Sequence, residues 1–167
     1  LEPRTPPEEG YDVRMLGSML HKILEDTYAQ AQDPTDLDEC LACMEGVAGQ
    51  VFADAPAEYG FRPTPLWAQQ RQELVRSLRQ TIRALAEQSQ GFTPRYFEQK
   101  FGMGNPSLVL TSGEEGSIRL HGYIDRLDQA PDGRLRVIDY KAGGTAIQPR
   151  HLQEGRRLQL PLYALAA

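Results

Sequence analysis

Apolar residues in the first half of the chain recur three and four positions apart, which predicts amphipathic helices. The first helix is predicted over about 12 to 32, with an apolar face made of Val13, Leu16, Leu20, Ile23, Leu24 and Tyr28. Pro34-Thr35-Asp36 ends this helix and caps a second one over about 36 to 54. A third helix, over about 65 to 89, carries Trp67, Leu74, Leu78, Ile82 and Leu85 on one face.

Beyond Gly91 the apolar period shortens to two, which predicts strands at about 95 to 101, 107 to 111, 117 to 129 and 134 to 141. Between the last two strands, Pro131 presets the first turn dihedral and Gly133 can adopt the left-handed position of a three-residue hairpin loop. A final helix is predicted over about 149 to 167. Helices, then an antiparallel-rich sheet, then a helix indicate an α/β or α+β domain.

Composition narrows the class of protein. The 167 residues, 40% apolar and 25% charged, fit one globular domain. No run approaches the roughly 18 to 20 apolar residues of a membrane span, and the N-terminus lacks a signal-peptide pattern. Cys40 and Cys43 supply too few ligands for a structural zinc site, so we expect idle thiols in a reducing, cytoplasmic compartment. The chain starts at Leu1 and stops at Ala167 without a terminating signal, so we expect a fragment of a larger protein.

The net charge of −5 averages over two parts of opposite sign. Residues 1–58 hold 13 acids and 3 bases, whereas residues 59–167 hold 10 acids and 15 bases. Surface charge fluctuates along any chain, but such asymmetry is also typical of a protein with a polyanion-facing part. One face of the third helix carries Arg76, Arg79 and Arg83, which form either a solvated face or a row of phosphate contacts.

The hairpin loop fixes a register, because closing it at residues 131–133 makes paired residue numbers sum to 264. Asp125 and Asp139 would then face each other on one side of the sheet, with Cβ atoms roughly 5 Å apart. Lys141 falls on the same side, two residues after Asp139. Because like charges opposed across a ladder destabilise it, such a pair requires a shared proton or a cation.

Two carboxylates and a lysine on one strand pair favour hydrolysis of a phosphodiester with a divalent metal. Mg²⁺ prefers a few oxygen ligands and leaves positions for water and phosphate oxygens, and Mn²⁺ is the alternative ion. A lysine can orient the attacking water and offset negative charge in the transition state. The competing interpretation is a structural hairpin in which Asp139 and Lys141 form a surface salt bridge.

Four short motifs resemble the ordered motifs of RecB/AddB-type nuclease domains of the PD-(D/E)XK superfamily. They are Gly17-Ser-Met-Leu-His21, Gly122-Tyr-Ile-Asp-Arg126, Val137-Ile-Asp-Tyr-Lys141 and Gln159-Leu-Pro-Leu-Tyr163. Each motif is weak alone, and their order makes the resemblance specific. It implies a restriction-endonuclease-like α/β fold, with a mixed central sheet flanked by helices and a helical N-terminal portion. Residues 1–167 would form one such domain, with a mainly helical part (1–90), a catalytic sheet (95–141) and a C-terminal helix (149–167).

The resemblance also implies a role for each matching residue. The metal ligands would be His21, Asp125, Asp139 and the backbone carbonyl of Tyr140, and Lys141 would be the catalytic lysine. DNA contacts would come from Gln159, Tyr163, Arg156 and Arg157. At Ala142 the chain departs from the family, which often has Thr or Ser before the following glycine.

From the residues alone, several of these roles have structural alternatives. His21 lies beside apolar residues, where a core histidine is the usual explanation. Gln159 and Tyr163 could form the polar edge of a packed helix. Glu98 lies on a strand where such domains often carry a glutamate, and either supports the metal ligands or is a strand-edge charge. His121 and His151 match no motif.

The activity implied by the resemblance is that of an Mg²⁺-dependent DNA nuclease, an exonuclease, in a RecB/AddB-like recombination and repair protein. Its partners would be DNA and a helicase-like portion of the same or a partner chain, with no membrane. Two alternatives are an inactive DNA-binding or scaffold domain of a helicase–nuclease complex, and a protein-interaction module that uses acidic residues 1–58. Some relatives carry an iron–sulfur cluster, but Cys40 and Cys43 do not match its cysteine positions.

Overall fold

The computed structural model of the chain describes residues 9–102, 108–111, 117–141 and 158–167. The chain divides into two compact units, here called the helical unit (Leu1–Ser89) and the sheet unit (Gln90–Ala167). Helices make up the first, and strands with one short helix make up the second. The predicted α/β class with a helical N-terminal part is therefore confirmed.

Three helices form the described part of the helical unit: α1 (Val13–Gln30), α2 (Leu37–Glu58) and α3 (Trp67–Glu87). Aspartates cap the first two, because Asp12 accepts two backbone N–H groups at 2.8 Å and Asp36 accepts one at 3.0 Å. Such caps satisfy N–H groups that lack partners in a helix's first turn. Nowhere in the described ranges is a helix long and apolar enough to cross a membrane.

The core of the helical unit lies where α2 packs against both α1 and α3. Its fully buried side chains include Met19, Ile23, Met44, Phe52 and Ile82. Trp67 closes one end of this core, with its ring edge-on to those of Phe52 and Phe61 at centroid distances of 5.9 and 5.4 Å. The expectation for Val13 is wrong: it lies in the first turn of α1 and is 73% exposed.

The sheet unit is organised around one central strand. Its elements are β1 (Thr93–Phe101), β2 (Leu108–Thr111), β3 (Ser117–Leu120), β4 (Gly122–Gln129), β5 (Leu135–Ile138) and a helix, α4 (Gln159–Ala166). The central strand β4 pairs antiparallel with β1 on one side and with β5 on the other. A separate two-stranded ladder joins β2 to β3, and α4 packs against β5.

The strand predicted over 117–129 is two strands that belong to different ladders. The break falls at His121, where Gly102 approaches the backbone so closely that an added Cβ would lie 2.2 Å from the carbonyl oxygen of Leu120. Gly102 also has a φ of +75°, in the left-handed region that glycine adopts at little cost. The apolar alternation runs through the break, so the pattern alone indicated one continuous strand.

The hairpin between β4 and β5 has the predicted three-residue loop. Ala130 N–H donates to the carbonyl of Arg134, and Gly133 N–H donates to the carbonyl of Ala130, both at 2.9 Å. Gly133 has a φ of +87°, as the loop requires. The paired residues, from Gln129–Leu135 to Arg126–Ile138, follow the predicted sum of 264, which confirms the register. The ladder ends there, one pair before Asp125 and Asp139.

A buried ion cluster holds β4 to β5 on one face of the sheet. Arg126 Nε and Nη2 donate to the two carboxylate oxygens of Asp128 at 2.5 and 3.1 Å, and Arg136 Nη2 donates to Oδ2 at 2.6 Å. The side chain of Asp128 is completely buried and that of Arg126 is 3% exposed. Because side chains alternate along a strand, this cluster and Asp125 lie on opposite faces of β4.

We expect Gly102→Ala to destabilise the sheet unit more than Gly133→Ala. Both glycines have a positive φ, which costs an alanine about 1–2 kcal/mol. Only Gly102 also faces backbone atoms, whereas an added Cβ at Gly133 meets open space. Overpacking should add about 1–3 kcal/mol to the loss at Gly102. Urea unfolding of both variants measures the difference, and equal losses would contradict the close approach.

Asp128→Asn should lower the free energy of unfolding by about 3–5 kcal/mol, because it leaves two guanidinium groups without their shared buried counter-charge. Asp132→Asn, at the exposed hairpin tip, is the matched control. Bonds from the side chain and then the backbone N–H of Arg134 lower the pKa of Asp132, but water surrounds this pair. Equal losses in the two variants, measured by chemical denaturation, would show that the buried cluster contributes no special stability.

Candidate metal centre

Two acidic side chains face each other across β1 and β4. Phe97 pairs with Arg126 and Gln99 pairs with Ile124, which places Glu98 opposite Asp125. Carboxylate oxygens of these two residues lie within 4.8 Å of each other. Asp125 is 8% exposed, and Glu98 is half-buried. The sheet unit therefore holds two carboxyl groups close together in a partly desolvated position.

The backbone of β1 is irregular in two ways near Glu98. The register shifts by one residue between Pro94 and Tyr96, so that paired numbers sum to 222 before the bulge and to 223 after it. Without the shift Glu98 would face Ile124 and point to the opposite side of the sheet. Glu98 also has a φ of +45°, a left-handed conformation that is uncommon outside glycine.

The donor set fits a divalent cation. Mg²⁺ binds oxygen ligands at roughly 2.0–2.1 Å, so oxygens on opposite sides of one ion lie about 4 Å apart. The oxygens of Glu98 and Asp125 are within 4.8 Å, a separation that small side-chain rotations adjust. Carboxylate oxygens suit Mg²⁺ and Mn²⁺ rather than the softer metals that prefer thiolates. A cation between the two groups would also offset their repulsion.

The chain that follows β5 is attached to this acidic pair through Asp125. Its Oδ2 accepts the backbone N–H of Tyr140 at 2.6 Å, which brings the Tyr140 peptide next to the carboxylate. The hydrogen bond links two residues 15 positions apart and continues the hairpin after the strand ladder has ended. Tyr140, predicted to offer its backbone carbonyl to the metal, is thus adjacent to one of the predicted carboxylate ligands.

Asp139 and Lys141, the two other residues predicted at the centre of the site, contact each other. Lys141 Nζ lies 2.8 Å from each carboxylate oxygen of Asp139. This is the ion pair that the structural alternative predicted, but it is not a simple surface pair, because the Asp139 side chain is only 6% exposed. The Lys141 side chain is 55% exposed, so its ammonium group contacts both the nearly buried carboxylate and solvent.

The last motif forms one polar pair on α4. Gln159 Nε2 donates to Tyr163 Oη at 2.8 Å, as its four-residue spacing allows on a helix. The Tyr163 ring lies edge-on to Phe101, the last residue of β1, at a centroid distance of 5.7 Å. Gln159 is exposed, whereas Tyr163 is half-buried. The motif therefore has both predicted features, a polar edge and a packed side.

The remaining predicted residues are on other elements or fall outside the described ranges. His21 is half-buried on α1 of the helical unit, and His121 is exposed between β3 and β4. Cys40 is buried and Cys43 is half-buried, and neither forms a disulfide. Four further positions named from the sequence fall outside the described residues: Ala142, His151, Arg156 and Arg157.

Sequence reasoning left open the role of Glu98, which the structure places directly opposite Asp125. In the β1–β4 ladder Phe101 pairs with Gly122, and the same register places Glu98 opposite Asp125. This register could not be predicted from the sequence, because no short turn joins β1 to β4 and because a bulge near Arg95 shifts the pairing.

Comparison with known proteins places the chain in a family. A family model described as the PD-(D/E)XK nuclease superfamily matches residues 1–167. Three relatives are each named as a subunit of an ATP-dependent helicase/deoxyribonuclease. The one from Moorella thermoacetica is 38% identical over 104 residues, 58% of this chain and 9% of the relative. Those from Clostridium acetobutylicum and a Thermoanaerobacter species are 27% and 29% identical over 95% and 92% of this chain.

The chain spans 14% of the length of the latter two relatives, so it corresponds to a small part of each. The match to the family model extends over the full sequence and therefore includes all four motifs. The resemblance drawn from those motifs is confirmed. The chain belongs to the PD-(D/E)XK nuclease superfamily.

Proposed function

We propose that this chain is an Mg²⁺-dependent deoxyribonuclease domain of an AddB-like helicase–nuclease protein and that it acts as an exonuclease. The observation that carries the proposal is the opposition of Glu98 and Asp125, in a chain that belongs to a nuclease superfamily. The relatives named as helicase/deoxyribonuclease subunits support DNA as the substrate and a helicase as the partner. A cytoplasmic location follows from that role.

The proposed metal ligands are Glu98, Asp125 and Asp139, with the backbone carbonyl of Tyr140. The motif resemblance adds His21 as a further ligand. When bound, Mg²⁺ would lower the pKa of a coordinated water and polarise the phosphoryl group, and Mn²⁺ would be a substitute. Support for this set comes from the separation of the Glu98 and Asp125 oxygens and from the bond that holds Tyr140 at Asp125.

Lys141 is the proposed catalytic lysine. Its ammonium group is held by Asp139 and is more than half exposed, so it can reach a phosphate group from solvent. A positive charge there would orient the attacking water by hydrogen bonding and offset charge that develops on the phosphoryl oxygens. Gln159 and Tyr163 would contact the DNA strand, and Arg156 and Arg157 would bind its phosphates.

Asp125→Asn, Asp139→Asn and Lys141→Gln should each lower Mg²⁺-dependent cleavage of end-labelled linear DNA by at least about 100-fold. The first two remove proposed metal ligands, and the third removes the positive charge that would act on the phosphoryl oxygens. A chelator should abolish cleavage by the unaltered protein. Asp132→Asn removes a carboxylate from the exposed tip of the same hairpin and should leave the rate unchanged. Thermal unfolding of every variant checks that its fold is retained.

Cleavage that persists in chelator, or at the original rate in folded Asp125→Asn, would overturn the proposed mechanism. Binding of DNA without cleavage by the unaltered protein, in Mg²⁺ or Mn²⁺, would instead favour the inactive scaffold of a helicase–nuclease complex.

A further inference from the structure

The helical unit contains a basic groove between α2 and α3. It has a volume of about 450 Å³, and we call it the arginine groove. Its size is within the range of sites that hold small ligands, roughly 300–1,000 Å³. The lining residues that matter here are Glu45, Gly49, Phe52, Arg71, Arg76 and Arg79.

Three guanidinium groups and one carboxylate give the arginine groove its charge. Arg79 Nη2 forms an ion pair with Glu45, whereas Arg71 and Arg76 extend the positive charge along α3. Arg83 continues this row one turn further, and the axial rise from residue 71 to residue 83 is about 18 Å. Phosphates of one strand of duplex DNA rise by about 3.4 Å each, so the row is long enough for several.

Arg71 supplies a second, independent indication of a ligand. Its guanidinium lies over the ring of Trp67, 5.9 Å from the centroid, which restricts its orientation. Its Nε is buried, and among the described residues it has no hydrogen-bond acceptor. A buried N–H group without an acceptor is costly, by an amount comparable to a lost hydrogen bond. An oxyanion in the groove would provide the acceptor.

The shape of the arginine groove also favours a flexible, negatively charged strand. An added Cβ at Gly49 would meet nothing within 4 Å, so the α2 side is open, and the buried Phe52 forms an apolar floor. Guanidinium groups present parallel N–H donors that match phosphate oxygens. The negative charge of Glu45 would repel an anion in the groove, so Glu45 should weaken the binding of a negatively charged ligand.

We propose that the arginine groove binds the phosphodiester backbone of a DNA strand. The identification of the polyanion as DNA rests on the proposed nuclease function, whereas the anion site rests on the groove alone. The binding is independent of base sequence and of metal, because it uses guanidinium groups and phosphate oxygens. The helical unit would thus hold the strand by its phosphates.

The test is fluorescence anisotropy of a labelled single-stranded oligonucleotide with the full chain, in chelator so that no metal contributes. Arg76→Gln should weaken binding at least about threefold and reduce the slope of affinity against salt by about 0.7 per lost contact. Glu45→Gln should tighten binding by a similar factor, a gain that misfolding could not produce. Arg14→Gln and Glu73→Gln are the charge-matched controls, since neither residue lines the groove.

Gly49→Leu tests the same site by shape rather than charge. The leucine fills open space and is a better helix former than glycine, so the helical unit should remain folded while DNA binding weakens. Gly46→Leu, also on α2 and also facing open space but outside the arginine groove, should bind DNA like the unaltered chain.

The groove proposal is overturned if Arg76→Gln, Glu45→Gln and Gly49→Leu bind DNA like their controls, or if labelled oligoglutamate binds as tightly as DNA. A cleavage assay of the unaltered chain in Mg²⁺ distinguishes failure of the groove proposal from failure of the proposed nuclease function. Cleavage with no effect of the groove variants overturns the groove alone. Groove-dependent binding without cleavage supports the groove and overturns the nuclease function.

Discussion

The close approach of Glu98 and Asp125 is the constraint on which the rest of the candidate site depends. Two carboxylates whose oxygens lie within 4.8 Å, one of them 8% exposed, oppose folding in the absence of a positive charge. The bulge in β1 and the left-handed Glu98 are what bring the two groups face to face. A backbone that departs twice from regular geometry to oppose like charges is typical of a functional site rather than of a stabilising contact.

The rest of the sheet supports this acidic pair. The three-residue loop aligns β4 with β5, and the buried cluster centred on Asp128 ties these strands together on the face opposite Asp125. Beyond the ladder, the bond from Tyr140 to Asp125 holds the next segment in place. Asp139 and Lys141 follow directly along the chain and form their own contact. The buried ion cluster therefore lies on one face of β4, and the two acidic side chains lie on the other.

Local chemistry explains which features could be predicted. The helices followed from apolar spacing, and the hairpin register followed from Pro131 and Gly133, whose conformational preferences act within a few residues. The break at His121 could not be predicted, because it depends on the approach of Gly102, which follows β1 and is far from His121 in sequence. The role of Glu98 was hidden for the same reason, since a bulge in one strand and its pairing with another decide which way the side chain points.

The central claim, that Glu98 and Asp125 are opposed in order to bind a divalent cation, is tested most directly by thermal unfolding with and without Mg²⁺. We predict that saturating Mg²⁺ raises the melting temperature of the unaltered chain by several degrees, since a ligand at 100 times its Kd contributes about 2.7 kcal/mol. Glu98→Gln should lose most of the gain from Mg²⁺, because it removes one of the two proposed carboxylate ligands. Equal gains in both proteins, or no gain in either, would contradict the account.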